Sequence, residues 1–307
     1  MSFEFQNKNY LSLNEFIEDE KTKVNLYSQR LAFAHKIDGK VISALEALPV
    51  KTAINKLVEV FVSQQSGIML STGLSVNPYN YPKIYNSLQS CCDNLGITIP
   101  QAVISTEMSG INAMATGTNE FSFIVISDLA QALLPEDQLK FIIGHECGHI
   151  ALEHVVYHSI GQYIGQIGSY LPVIGPILAN TVMLPLNGWS RYSEISADRA
   201  GFICCDGNLD ISQRALLRLV GGFSDTHLID IDAYIDKSMT SLEEHKVGAI
   251  NEYLMSHPLI PKRLKSLEYF SKSELYYRVT NKPIPSNINL YSDEALNDLV
   301  NNLIKVI

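Results

Sequence analysis

Apolar positions in the first 75 residues recur at helical spacing. They predict helices from Asn14 to about His35, over Ile42–Leu48, and in a stronger amphipathic run, Thr52–Met69. Pro78 to Pro82 is turn-rich, and Ile84–Leu95 returns to a helical pattern that stops at Gly96. Val103–Thr106 and Ser122–Ser127 are β-branched and aromatic runs between turn formers, which read as strands. Asp128 fits an N-cap for a short helix, Leu129–Leu134. Pro135-Glu136-Asp137 looks like the first turn of the next helix, with acids where the dipole favours them. Further helices are expected from Glu194 to about Cys205 and over Ile211–Val220 before Gly221-Gly222. In Ser292–Ile307, Leu296, Leu299, Val300, Leu303 and Ile307 share one face, as in a docking helix. The pattern predicts an α+β chain, predominantly helical, with a small sheet. Three regions are expected: an N-terminal helical region (1–80), a central domain (81–271), and a C-terminal tail with its docking helix (272–307).

One stretch breaks the amphipathic rule. From Ser159 to Ser190 no residue is charged, yet Gln162, Gln166, Asn180, Pro172, Pro176 and Pro185 interrupt it. A membrane-spanning helix needs about 18–20 predominantly apolar residues, and neither half of the stretch reaches that. The expected form is a helical hairpin, broken at Pro172–Pro176, that caps the site. Membrane-surface contact through 159–190 is the less favoured reading.

Composition narrows the class. Hydrophobic residues make up 46% of the 307 and charged ones 18%, ample for a packed core. A net charge of −9 with no basic patch argues against a nucleic-acid partner. The five cysteines include two vicinal pairs, Cys91-Cys92 and Cys204-Cys205, and no disulfide-type spacing. Reduced thiols in a cytoplasmic protein follow. The first residues carry neither a basic n-region nor an apolar h-region, so no signal peptide is expected.

The chemistry concentrates at His145-Glu146-Cys147-Gly148-His149. Residues four apart on a helix project side by side, so His145 and His149 can each give one ring nitrogen to a single metal ion, zinc by preference. Glu146 lies beside that ion rather than on it, where a carboxylate takes a proton from an activated water. Two imidazoles leave the site one protein ligand short. The extended motif with a third histidine six residues on is excluded, because Leu152 and Val155 occupy its Gly and His positions. Between Glu153 and Glu194 there is no Asp, Glu or Cys, and Glu153 lies too far along the same helix. Glu194 opens Ser193-Glu194-Ile-Ser-Ala-Asp198, whose spacing puts both carboxylates on one helical face. Glu194 is the expected third ligand to one Zn²⁺ per chain. Asp198 is expected to receive the free ring N–H of a ligating histidine and fix its tautomer.

With these residues on the page, the chain resembles the HtpX and CaaX prenyl protease family of zinc metallopeptidases, within the gluzincins. The resemblance spans about residues 80–270. It is carried by the zinc motif, by Asn112-Ala113-Met114-Ala115-Thr116-Gly117, by Phe123-Ile-Val-Ile-Ser127, and by Trp189-Ser-Arg-Tyr-Ser-Glu194-Ile-Ser-Ala-Asp198-Arg-Ala-Gly201. Ser256-His257-Pro258-Leu259 followed by Arg263 matches the family's His-Pro…Arg element. Members with membrane helices carry long apolar segments flanking the motif, and this chain departs from them there.

The resemblance implies a gluzincin core in which substrate pairs with a sheet edge bordering the cleft. Ser122–Ser127 would be that edge, with the Asn112-Ala113 backbone near the scissile bond. It also implies His257 as a donor to the developing oxyanion. Two functions follow. The first is a zinc metalloendopeptidase acting on peptides or unfolded protein, with Glu146 as general base. The second is a metal-stabilised peptide-binding or chaperone-like module with little turnover. Glu146 favours the first, because a structural site has no use for it.

Overall fold

The computed structural model describes residues 31–38, 67–118, 121–159, 175–222, 225–244, 257–286 and 288–305, with a few isolated helical positions at 59–64. Most of the sequence-predicted N-terminal helices, and residues 160–174 of the uncharged stretch, lie outside these residues.

Four strands form one mixed sheet: β1 (Leu74–Ser75), β2 (Gln101–Ser105), β3 (Ala113–Gly117) and β4 (Ser122–Ser127), in the order β1-β2-β4-β3. β2 and β4 run parallel with Ala102 opposite Ile124, whereas β3 pairs antiparallel with β4, Ala115 opposite Ile124. Alternation along a strand sends Ile124 and Ile126 into the main core and Phe123 and Val125 to the opposite face. That opposite face packs with Val103 and is flanked by Met69, Leu70 and Met108. β4 is therefore an interior strand, and the expectation that Ser122–Ser127 forms the edge is corrected. The edge is β3. Its sequence, Ala-Met-Ala-Thr-Gly, has little β-propensity, and tertiary pairing decides the matter.

Helices follow as α1 (Pro82–Leu95), α2 (Asp128–Leu133), α3 (Glu136–Ala151), α4 (Gly175–Cys204), α5 (Leu209–Gly221), α6 (Ile231–Glu244), α7 (Ile260–Ser271), α8 (Glu274–Thr280) and α9 (Asp293–Ile304). Asp128 is not the cap of α2. The Ser127 hydroxyl accepts from Ala130 N–H, and Asp128 occupies the first turn. α4 begins well before Glu194 and runs unbroken through Pro185. The second limb of the uncharged stretch thus continues into the carboxylate-bearing helix. Gly175-Pro176 begins that helix, and the expected break at Pro172 lies outside the described residues.

α3 is buried on nearly every side, so its sequence shows no clean apolar stripe. Small residues let it approach α4 closely. A Cβ on Gly148 would lie 2.5 Å from Ala200 Cβ, and one on Gly144 would lie 2.7 Å from Cys204 Cβ. This contact sets His145 and His149 directly against Glu194 and Asp198. α1 covers another side of α3, bringing Cys92 Sγ within 4.0 Å of Cys147 Sγ.

Segments at either end of the described residues pack onto this core. A 3₁₀ turn at Leu31–Phe33 packs against α4 and α8, with Phe33 fully buried. Arg199 of α4 donates to Phe33 O at 2.9 Å, and Ser196 Oγ accepts from His35 N–H at 3.0 Å. α9 docks on α7 through Leu296, Val300 and Ile304.

Candidate metal centre

The four positions predicted around the metal converge. His145 Nε2 and His149 Nε2 are 3.1 Å apart, and Glu194 reaches them at 3.5 Å (Oε2) and 3.3 Å (Oε1) respectively. Donors held at about 2.0–2.1 Å on a tetrahedral ion would be roughly 3.3 Å from one another. The spacing fits a set that could hold a metal ion.

Proton placement makes the same point. Asp198 Oδ1 accepts from His145 Nδ1 at 3.0 Å, which in the neutral ring leaves Nε2 with a lone pair. His149 Nδ1 faces His154 Nδ1 at 3.0 Å, turning its own Nε2 toward the same point. Two lone pairs and a buried carboxylate aimed together repel unless a cation lies among them. Burial lowers His149 to about 3, so the ring is neutral as a ligand requires. Burial would also lower His145, but Asp198 and Glu194 beside it raise it overall. A cation lying between them reverses that local field.

Arg263 supports both carboxylates. Its Nε and Nη2 grip Asp198 at 2.8 and 2.6 Å, and Nη1 lies 3.2 Å from Glu194. Burial alone would raise Glu194, but His257 and Arg263 hold it well below the usual carboxylate range. Asp198 is lowered likewise, by Arg263 first. Arg263 was visible in the sequence only as a motif residue without a role.

Glu146 lies at the edge of this set. Its Oε2 accepts Ala115 N–H of β3 at 2.6 Å, and burial raises its carboxyl above the ordinary value. His257 hangs half-exposed over the cleft, with Nδ1 3.1 Å from Glu194 Oε1, and Glu194 raises its pKa. The cleft, about 850 Å³, is lined by β3 and the preceding loop, by α3, by Leu186 to Glu194 of α4, and by His257 to Arg263.

Asn112 acts locally in this state. Its backbone pairs with Ser127, and its amide oxygen accepts from Ala113 N–H at 2.9 Å. The exposed edge of β3 is thereby partnered at Ala113 by Asn112, at Ala115 by Glu146, and at Gly117 O by the Ser159 hydroxyl.

Sequence reasoning left His154 and His158 unassigned and passed over Asp38. Among the described residues, His149, His154 and His158 form a second group with converging ligand atoms. His154 follows the end of α3, where Glu153 takes a left-handed φ of 58° and turns the chain back. No helical spacing announces that contact.

The chain matches the model of peptidase family M48 over residues 78–271, and it belongs to that family. It is 23% identical over 256 residues to the plastoglobule-localized metallopeptidase 48, chloroplastic, of Arabidopsis thaliana, covering 80% of this chain and 73% of that protein. A protease HtpX homolog of Nostoc sp. is 25% identical over 198 residues, 54% of this chain and 67% of the relative. Another, from Gemmatimonas aurantiaca, is 22% identical over 253 residues, 73% and 88%. No solved structure matches the chain. The resemblance to HtpX-type metallopeptidases holds, and with it a metal-dependent protease acting on peptide or protein. Among the described residues, no helix is long and apolar enough to cross a membrane.

Proposed function

We propose that this protein is a zinc-dependent metalloendopeptidase with a gluzincin core, in which His145, His149 and Glu194 hold one Zn²⁺. The observation that carries the proposal is the set of two imidazole Nε2 atoms and one carboxylate at 3.1–3.5 Å, each buried and oriented from behind. Two histidines and one carboxylate leave a fourth position open, the catalytic rather than the structural arrangement. When bound, zinc supplies an electrophile that polarises the scissile carbonyl and acidifies a water.

The chain's own residues do the rest. Glu146 takes the proton of the attacking water and delivers it to the leaving amine. Its hydrogen bond from Ala115 holds the carboxylate at the rim of the edge strand, where a substrate would lie. Asp198, gripped by Arg263, keeps His145 in one tautomer. An extended peptide pairs with β3 on either side of the Ala115–Glu146 bond, displacing Asn112 from Ala113 and Ser159 from Gly117; the Asn112-Ala113 backbone then lies near the scissile bond. His257 donates to the oxyanion as the tetrahedral intermediate forms. Peptides or unfolded segments fit such a cleft, because only an extended backbone can add to a sheet edge. Cytoplasmic action, with membrane-surface contact by residues 159–190 as the lesser reading, belongs to the same proposal.

Two variants separate binding from chemistry. Glu194→Ala should lower zinc occupancy by elemental analysis, because it removes the charged ligand. Glu146→Gln should keep its zinc while peptide-library cleavage falls by a factor on the order of 10²–10⁴. Full zinc in the first variant, or parent-rate cleavage in the second, would refute the corresponding role. A parent protein that binds peptides without cutting them would favour the binding-module function.

A further inference from the structure

The far side of His149 leads into a polar chain that ends outside the stretch matched to the family. His149 Nδ1 is 3.0 Å from His154 Nδ1, and His154 Nε2 is 2.8 Å from Asp38 Oδ2. The other Asp38 oxygen, Oδ1, accepts the Trp189 indole N–H at 2.7 Å. His149, His154, Asp38 and Trp189 are all buried.

With His154 neutral, only one arrangement of protons satisfies this chain. An indole nitrogen can only donate, and an ionised carboxylate can only accept. Asp38 therefore takes Trp189 N–H on one oxygen and His154 Nε2–H on the other. His154 is left with a lone pair on Nδ1, so His149 must donate its Nδ1–H there. That assignment leaves the His149 Nε2 lone pair facing His145 and Glu194. Burial would raise the Asp38 carboxyl, but His154 and the surrounding donors hold it below its usual range, which keeps it an acceptor.

We propose that Asp38 and His154 are positioning residues for the metal centre, dictating the tautomer of His149 through two successive hydrogen bonds. The chain preceding the family-matched stretch then contributes a working part to the site, delivered by residues 31–38 as they dock on α4. The proposal rests on His145, His149 and Glu194 being the zinc ligands. The rival account of the same residues is a second metal held by His149, His154 and His158. Here both His154 nitrogens already have partners, and His158 Nε2 meets Ser193 Oγ at 3.1 Å, so the cluster is satisfied without an ion.

The test replaces the acceptor while keeping its shape. In Asp38→Asn one amide position becomes a donor. Either it meets the Trp189 N–H, or it forces the His154 proton onto Nδ1, against His149 Nδ1–H. Release of zinc to a chromogenic chelator should speed up by about 10–100-fold. The visible spectrum of the cobalt-loaded protein should also change. His154→Gln should rescue what His154→Leu loses, because one amide both accepts from His149 and donates to Asp38. Circular dichroism of the chelated proteins checks folding; should Asp38→Asn not fold, the Gln and Leu pair at 154 decides alone. Release at the parent rate in Asp38→Asn, or equal release from the Gln and Leu variants, would overturn the proposal. So would a second zinc equivalent in the parent that is lost with His154. A parent holding no zinc, or holding it undiminished in Glu194→Ala, would instead overturn the ligand assignment.

Discussion

Glu194 and Asp198 are buried carboxylates one helical turn apart on α4, an arrangement too costly to persist without compensating charge. Arg263 supplies it for both, and His257 makes a further contact to Glu194 alone. The two supports differ in exposure: Arg263 is buried, whereas the His257 side chain is 57% exposed at the cleft mouth. An exposed partner adds little to stability, which leaves the His257 ring free to serve the reaction. His257→Ala should therefore lower kcat by about 10²–10³ while changing KM little. Zinc content and melting temperature should stay near the parent. Loss of zinc would recast His257 as a ligand, and an unchanged kcat would place the oxyanion's donor elsewhere. At this scale the sequence was legible wherever partners were separated by one helical turn. His145, His149, Glu194 and Asp198 announce themselves by spacing. His154 did not, because the left-handed turn at Glu153 makes its contact with His149, and Asp38 lies 116 residues from His154.

α3 and α4 form the working element pair, and their contact is written in small side chains. Gly144 and Gly148 on one helix meet Ala197, Ala200, Gly201 and Cys204 on the other. Glycine within a helix costs roughly 0.5–1 kcal/mol relative to alanine, so its presence here needs this packing as its reason. Gly148→Ala should push the helices apart, destabilising the protein by about 1–3 kcal/mol in urea unfolding and weakening zinc retention. Gly188 on α4 has nothing within 4 Å of an added Cβ, so Gly188→Ala should leave stability unchanged or raise it by about 0.4–1 kcal/mol. Equal effects from the two substitutions would mean that close approach is not what Gly148 provides. The sheet was less legible than the helices. Ser122–Ser127 reads as a strand by composition, and it is one, but composition does not reveal which strand lies outside it. β3 takes the edge because it follows β2 in the chain yet pairs with β4, a topological fact without a local signature.

At the scale of the molecule, the family-matched stretch 78–271 is bracketed by segments that supply both core and site. Phe33 is fully buried against α4 and α8, and Leu296, Val300 and Ile304 of α9 are buried against α7. Each large apolar side chain of this kind contributes about 1.5–3 kcal/mol when fully buried. A whole domain is typically stable by only about 5–15 kcal/mol. We propose on that ground that the three regions divided at residues 80 and 271 fold together and not as separable units. A chain trimmed to residues 78–271 loses Phe33 and α9, and with Asp38 it loses the acceptor that orders His154. It should show broad, non-cooperative urea unfolding and bind a dye for exposed apolar surface, whereas the full chain should unfold in one transition. Adding zinc should not restore cooperativity, because the missing contacts lie outside the ligand set. A trimmed chain that unfolds cooperatively and retains zinc as tightly as the full protein would show that the flanking segments are accessory. In that case the docking of residues 31–38 would be a consequence of the metal site's geometry and not one of its supports.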